Sequence, residues 1–167
     1  MILVLRLFHV LAGAFWFGAV IFSARFLMPS LQAAGPAAGP IMAQLNQRRL
    51  SQSLVAAAII TVISGLWMMF LLSGGDMGTW MQMNSSRTFA TGGTLAIIAL
   101  ILGTVMNPPA VSRLGAIAAA AAKRGGPPTP EEAKEIGALQ ARLRMGTLIV
   151  AVLITLALAA MAVARYM

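Results

Sequence analysis

The side chains with the greatest capacity for chemistry are a single histidine and a group of methionines. His9 is the only histidine among 167 residues, and Met77, Met81 and Met83 lie in a short stretch that also holds Trp80. Thioether sulfurs are soft ligands that suit Cu(I), and imidazole is a common copper ligand. His9, Met77, Met81 and Met83 are therefore candidate metal ligands. Interfacial packing of methionine and tryptophan is the structural alternative.

His9 also begins a stripe along one face of a predicted helix. The stripe continues, at steps of four, three and four residues, through Gly13, Trp16 and Val20. Such spacing marks one helical surface, and an unpaired imidazole in lipid is costly, so the stripe is predicted to face other helices. Two further roles for His9 stay open. It could hold haem b with Trp16 beside the cofactor, or it could be structural and bonded to a group such as Thr88 or Thr91.

Catalytic machinery is missing from the sequence. The chain has no cysteine and only 4 Asp and Glu residues, which excludes thiolate metal sites and leaves few carboxylates for acid–base work. No Ser/His/Asp set can be assembled, and no phosphate loop, HExxH or CxxC motif is present. We therefore expect a protein without enzymatic activity.

The composition is that of an integral membrane protein. Hydrophobic residues make up 59% of the chain and charged residues 10%, against about 25% charged in soluble proteins. The net charge of +8 would suggest nucleic acid in a soluble protein. Here the basic residues flank apolar runs, so we expect the chain to contact the lipid bilayer and not nucleic acid.

Four apolar runs are each long enough to cross a bilayer as a helix, which takes about 20 residues. The predicted spans cover about residues 3–28, 54–72, 88–106 and 145–164. The first run is about twice as long as the core of a signal peptide, so we expect it to be retained. The sequence thus predicts an all-α fold, a four-helix transmembrane bundle, as one domain over residues 1–167.

The connections predict additional helix outside the membrane. Asn, Pro and Pro at 107–109 are predicted to start a new helix, and the glycines at 125–126 to end it. Thr129 is predicted to cap a helix that runs unbroken into the fourth span. The result is a cytoplasmic helical hairpin over about residues 108–144. No helix breaker separates Ile41 from the second span, so that helix is predicted to begin about three turns early.

The basic residues predict orientation. Nine of the 12 flank one face, namely Arg25, Arg48, Arg49, Arg113, Lys123, Arg124, Lys134, Arg142 and Arg144. By the positive-inside rule this face is cytoplasmic, so both termini and the methionine stretch lie outside. Candidates for contact with anionic lipid headgroups or a cytoplasmic partner are Arg48, Arg49, Arg113, Arg142 and Arg144.

The opening RLFHVLAGAFWFGAVIFSARFLMP, with TVISGLWMMF and NPPAVSRLGAIAA further on, resembles small bacterial membrane proteins of the copper-resistance D-like group. The resemblance is closest to the uncharacterised four-helix branch, and it implies the cytoplasmic (inner) membrane. The opening also resembles the haem-binding protoporphyrinogen oxidase family, with His9, Trp16 and Arg25 at matching positions. That family uses a lysine in a later membrane helix, and the third span here has none.

The expected function is copper handling through soft ligands on the outer face, without catalysis. One alternative is an accessory subunit of a larger membrane complex or a homo-oligomer, since small residues in the spans suit helix packing. The other alternative is a membrane protein that binds haem b through His9.

Overall fold

A computed structural model describes residues 1–35 and 38–167. These residues form an all-α fold without strands. The helices are α1 (Ile2–Phe22), α2 (Met28–Ala34), α3 (Ala38–Gln47), α4 (Leu50–Leu72), α5 (Met77–Trp80), α6 (Asn84–Arg124) and α7 (Pro130–Val163). A π-helical turn, Ser23–Leu27, joins α1 to α2 without interruption, and a 3₁₀ turn, Ala164–Tyr166, follows α7.

Four helical segments are long and apolar enough to cross a membrane, which confirms the predicted bundle of four spans. They cover Ile2–Ala34, Leu50–Leu72, Asn84–Arg124 and Pro130–Tyr166. Large apolar side chains such as Phe15, Ile63 and Val105 are more than half exposed. A water-soluble monomer rarely exposes so much contiguous apolar surface, whereas a lipid-facing bundle requires it. The chain is a multi-pass membrane protein.

Alanine is the most frequent residue in the buried cluster between the spans. The central cluster contains Trp16 and Val20 of α1, with alanines such as Ala58 of α4, Ala99 of α6 and Ala151 of α7. Helices α6 and α7 approach closely, and a Cβ built on Gly92 would lie 3.0 Å from the carbonyl oxygen of Ala157. Helices in lipid associate by such close packing, because water does not drive them together there.

Helix α6 runs through the two prolines at positions 108 and 109, so the prediction of a new helix at 107–109 was wrong. A proline inside a helix removes an N–H donor and crowds the carbonyl four residues earlier. Buried residues lie on both sides of this pair, Ala99 before it and Ala110 and Ile117 after it. Helix α7 contacts α6 on both sides of the prolines, at Gly92 before them and in the ion pair of Arg113 with Glu135 after them. This packing compensates for the lost hydrogen bonds and keeps the helix continuous.

The predicted hairpin is present. Helix α6 has 41 residues, or about 60 Å, which is about twice the thickness of a bilayer core, so its last part projects beyond the membrane. It ends at Arg124 and is followed by Gly125, whose φ is 68°. Thr129 caps α7 as predicted, in a capping box with Glu132, and α7 runs unbroken from Pro130 to Val163.

The first connection differs from its prediction. Helix α3 ends at Gln47 and α4 begins at Leu50, so no single helix extends from Ile41 into the span. The break falls at Arg49, a non-glycine residue with φ of 59°. This turn lets α3 contact both α4 and α6, which a straight helical extension away from the bundle would not do.

Candidate metal site around His9

The stripe that begins at His9 faces the bundle interior, as predicted. Trp16 and Val20 are only 6% and 7% exposed. A Cβ on Gly13 would lie 3.4 Å from the methyl group of Thr61, which places α1 directly against α4. Because His9 lies on the same face, its imidazole also meets α4.

The imidazole of His9 is held by backbone and hydroxyl groups of α4. Its Nδ1 lies 2.8 Å from the carbonyl oxygen of Thr61 and 3.3 Å from Oγ of Ser64. A carbonyl only accepts, so Nδ1 carries the proton and donates it. The hydroxyl of Ser64 donates in turn to the carbonyls of Ile60 and Thr61 within its own helix.

The expected hydrogen-bond partners on the third span are not used. The hydroxyls of Thr88 and Thr91 donate to the carbonyls of Asn84 and Arg87, one turn earlier in α6. These threonines bond to their own helix because a carbonyl one turn earlier is always within reach. The sequence alone did not indicate that α4, rather than α6, packs beside His9.

Gly65 makes room for the imidazole. A Cβ at this position would lie 2.9 Å from Cε1 of His9 and 3.2 Å from Nδ1, closer than carbon atoms pack. No described residue hydrogen bonds to the other ring nitrogen, Nε2. A neutral imidazole that is protonated on Nδ1 keeps a lone pair on Nε2. The side chain is therefore fixed in orientation and tautomer, with one nitrogen able to bind a metal ion.

The methionine stretch forms a short, capped turn at one end of the bundle. Asp76 accepts a hydrogen bond from the Thr79 N–H at 3.0 Å, and backbone hydrogen bonding of this kind lowers the pKa of its carboxyl group. Trp80 is buried, whereas Met81 and Met83 are 38% and 50% exposed. Two thioethers are thus presented at the surface of an anchored turn.

The methionine turn follows the end of α4, beyond the residues of α4 that contact His9. Ser64, which contacts His9, precedes the end of α4 at Leu72 by about 12 Å of helical rise, and Met77 lies beyond that end. Met68 follows Ser64 by four residues in α4, so the two side chains lie one turn apart on the same face of the helix. Sequence reasoning missed Met68, although the spacing of Ser64 and Met68 in TVISGLWMM carries the signal.

The five basic candidates lie on three parts of the structure. Arg113 makes a two-pronged ion pair with Glu135 on the hairpin, at 2.6 and 2.9 Å. Arg48 and Arg49 lie in the turn between α3 and α4, while Arg142 and Arg144 project from α7. The guanidinium of Arg113 lowers the pKa of the Glu135 carboxyl group by hydrogen bonding.

A second polar feature inside the bundle also escaped sequence reasoning. Oδ1 of Asn107 is buried without a hydrogen-bond partner among the described residues. A Cβ on Gly146 would lie 2.7 Å from this oxygen. Asn107 was interpreted as a helix start, but the continuous α6 carries it into the contact with α7.

Among the described residues, no group of three or more His, Cys, Asp or Glu side chains could hold a metal ion. A metal ion at His9 would therefore take its other ligands from thioethers or from outside the protein. Comparisons of the chain with protein-family models, with curated proteins and with solved structures give no match.

Proposed function

We propose that this chain is a bacterial inner-membrane protein without catalytic activity that binds Cu(I) toward the outer face, with Nε2 of His9 as a ligand. The fixed imidazole carries the proposal. Its Nδ1–H donates to the Thr61 carbonyl at 2.8 Å, which leaves Nε2 with a lone pair. Metal-binding histidines usually hold their second ring N–H in this way, which raises their basicity.

Methionine sulfurs are soft ligands, and their presence at two depths along the bundle supports copper as the metal. Met68 shares the α4 face that contacts His9, one turn nearer the end of the helix. Met81 and Met83 are exposed where the bundle reaches the outer surface in the proposed orientation. Imidazole combined with thioether suits Cu(I) better than it suits hard cations such as Mg²⁺. We propose that the outer methionines collect the ion and that His9 and Met68 hold it.

The orientation is part of the proposal. Nine basic residues flank the hairpin side of the bundle and three flank the other side. The positive-inside rule then places the hairpin in the cytoplasm and both termini outside. Reporter fusions at Gly126 and Met167 test it. A cytoplasmic signal from Met167 together with an outside signal from Gly126 would reverse the orientation.

Haem b on the same nitrogen is the second candidate, because a porphyrin brings four ligands and then needs only one imidazole from the chain. The space around His9 favours a copper ion over the larger haem. The imidazole fills the gap between α1 and α4 so closely that a Cβ on Gly65 would lie 2.9 Å from it. The groove between α1 and α7 and the groove along α4 are both lined by other residues.

Metal analysis of the purified protein tests the proposal. We expect stoichiometric copper after loading under reducing conditions, and its loss in His9→Ala. Met68→Leu should weaken copper affinity by about tenfold or more, corresponding to about 1.4 kcal/mol. The control is Met145→Leu, whose side chain is exposed on α7 at the hairpin side. Equal affinities for the two methionine variants would remove Met68 from the site.

A visible spectrum separates the two candidates. Cu(I) has a filled d shell, so the copper-loaded protein should show no intense visible band. A sharp b-type band after supplying haem, lost on His9 replacement, would favour haem instead.

A further inference from the structure

A groove of about 590 Å³ runs between the first span and α7, away from His9. Apolar side chains line its length, including Ile21 on one side and Val152 and Leu156 on the other. Arg25 and Arg144 line the same groove. Arg25 follows Ile21 by one turn, and Arg144 precedes Val152 by two turns of the antiparallel α7. The groove is therefore apolar toward the membrane centre and cationic toward the hairpin.

The π-helical turn explains how Arg25 reaches this groove. Pro29 has no N–H to donate to the carbonyl of Arg25, four residues earlier, so a regular α-helix cannot continue there without loss. The chain forms a wider turn instead, in which the Met28 N–H donates to the carbonyl of Ser23. Ser23 and Leu31 stay buried on one side while Arg25 lines the groove. Single π turns of this kind are frequent at functional sites.

Neither guanidinium has an anionic partner within the described part of the chain. The two ion pairs there join Arg113 to Glu135 and Arg124 to Glu132. All 4 acidic residues lie elsewhere, in the methionine turn or in the hairpin. Two like charges at one end of an apolar groove repel each other, and an anion between them would relieve this repulsion.

We infer that this groove binds an anionic diacyl phospholipid, with its phosphate held by Arg25 and Arg144 and one acyl chain lying along Ile21, Val152 and Leu156. Guanidinium groups suit phosphate because they donate two parallel hydrogen bonds. The groove wall beyond the arginines offers the continuous apolar surface that an acyl chain covers. Charge at one end and apolar surface along the rest match the two parts of a phospholipid, and this inference does not depend on a metal at His9.

Native mass spectrometry of protein exchanged into phosphatidylglycerol or phosphatidylcholine tests the inference. We expect the wild-type chain to retain phosphatidylglycerol preferentially. The double variant R25Q/R144Q should retain it about tenfold less, equivalent to about 1.4 kcal/mol. The control K123Q/K134Q removes the same charge from exposed hairpin positions outside the groove and should change retention less than about twofold.

A second variant, V152W, tests the apolar part of the site and keeps the inference testable if R25Q/R144Q fails to fold. V152W places a larger ring in the groove and keeps both arginines, so it should reduce lipid retention while thermal unfolding in detergent stays unchanged. Inorganic phosphate should not displace the lipid from the wild-type chain. Any one of four results would overturn the inference. R25Q/R144Q and the control pair could lose lipid equally, or the wild-type chain could retain phosphatidylcholine as well as phosphatidylglycerol. Inorganic phosphate could displace the lipid, or V152W could retain it fully.

Discussion

The hairpin and the contact between α1 and α4 are held by opposite kinds of interaction. In the hairpin, exposed charges cross between helices, as in the ion pair of Arg113 with Glu135, and a capping box begins α7. Around His9 a backbone carbonyl and the missing side chain of Gly65 fix one imidazole. Water replaces a lost contact in the hairpin, whereas inside the bundle nothing does. The His9 contact should therefore tolerate far less change.

Among the substitutions that test this difference between the hairpin and the His9 contact, Gly65→Ala should have the largest effect. Its Cβ would lie 2.9 Å from Cε1 of His9, so the imidazole must move and its bond to Thr61 is strained. Overpacking of this kind costs about 1–3 kcal/mol. Thermal unfolding in mild detergent, together with copper affinity, measures the effect. The matched control is Gly18→Ala, where nothing lies within 4 Å of the new Cβ. Equal stabilities of the two variants would contradict the tight contact.

Gly146→Ala tests the second close contact inside the bundle. The new Cβ would lie 2.7 Å from Oδ1 of Asn107, which can partly rotate away. We expect a loss of about 1–2 kcal/mol in unfolding free energy. Gly137→Ala, with open space around its Cβ on the same helix, serves as the control and should be neutral or stabilising. A stabilised Gly146→Ala variant would show that α6 and α7 are less closely packed here.

Thr129→Ala removes the cap of α7 at the tip of the hairpin. The Thr129 hydroxyl accepts from the Glu132 N–H at 3.2 Å, and caps of this type contribute about 1 kcal/mol. Hydrogen exchange of the first-turn amides of α7 should accelerate, while exchange in the spans stays unchanged. Faster exchange within the spans would mean that the hairpin and the bundle unfold together.

Acidification should loosen the hairpin and leave the His9 contact in place. Hydrogen bonds from Arg124 and Arg113 lower the pKa values of the Glu132 and Glu135 carboxyl groups below the usual 4.5. Carboxyls with lowered pKa values stabilise the fold above pH 4.5 and lose that contribution as the pH falls through the folded-state values. Hydrogen exchange at pH 7 and below pH 4 measures this small effect. The difference in exchange between the two pH values should disappear in the double variant Glu132→Gln/Glu135→Gln.

Local signals in the sequence predicted the hairpin and the spans. Thr129, Pro130 and Glu132 specify a helix start whatever lies around them, and the apolar runs specify spans by length alone. The continuity of α6 through Pro108 and Pro109 could not be predicted in this way, because it depends on packing against α7. The hydrogen-bond partner of His9 could not be predicted for the same reason. A backbone carbonyl such as that of Thr61 is present at every residue, so no side-chain pattern identifies it.

The most direct test of the central claim is the copper content of His9→Asn. The asparagine amide N–H can replace Nδ1–H as the donor to the Thr61 carbonyl, but no nitrogen remains at the position of Nε2. If His9 is a metal ligand, this variant should fold with nearly wild-type thermal stability and bind no stoichiometric copper under reducing conditions. If His9→Asn binds copper as the wild-type chain does, or if neither protein binds it, His9 is only a structural contact between α1 and α4.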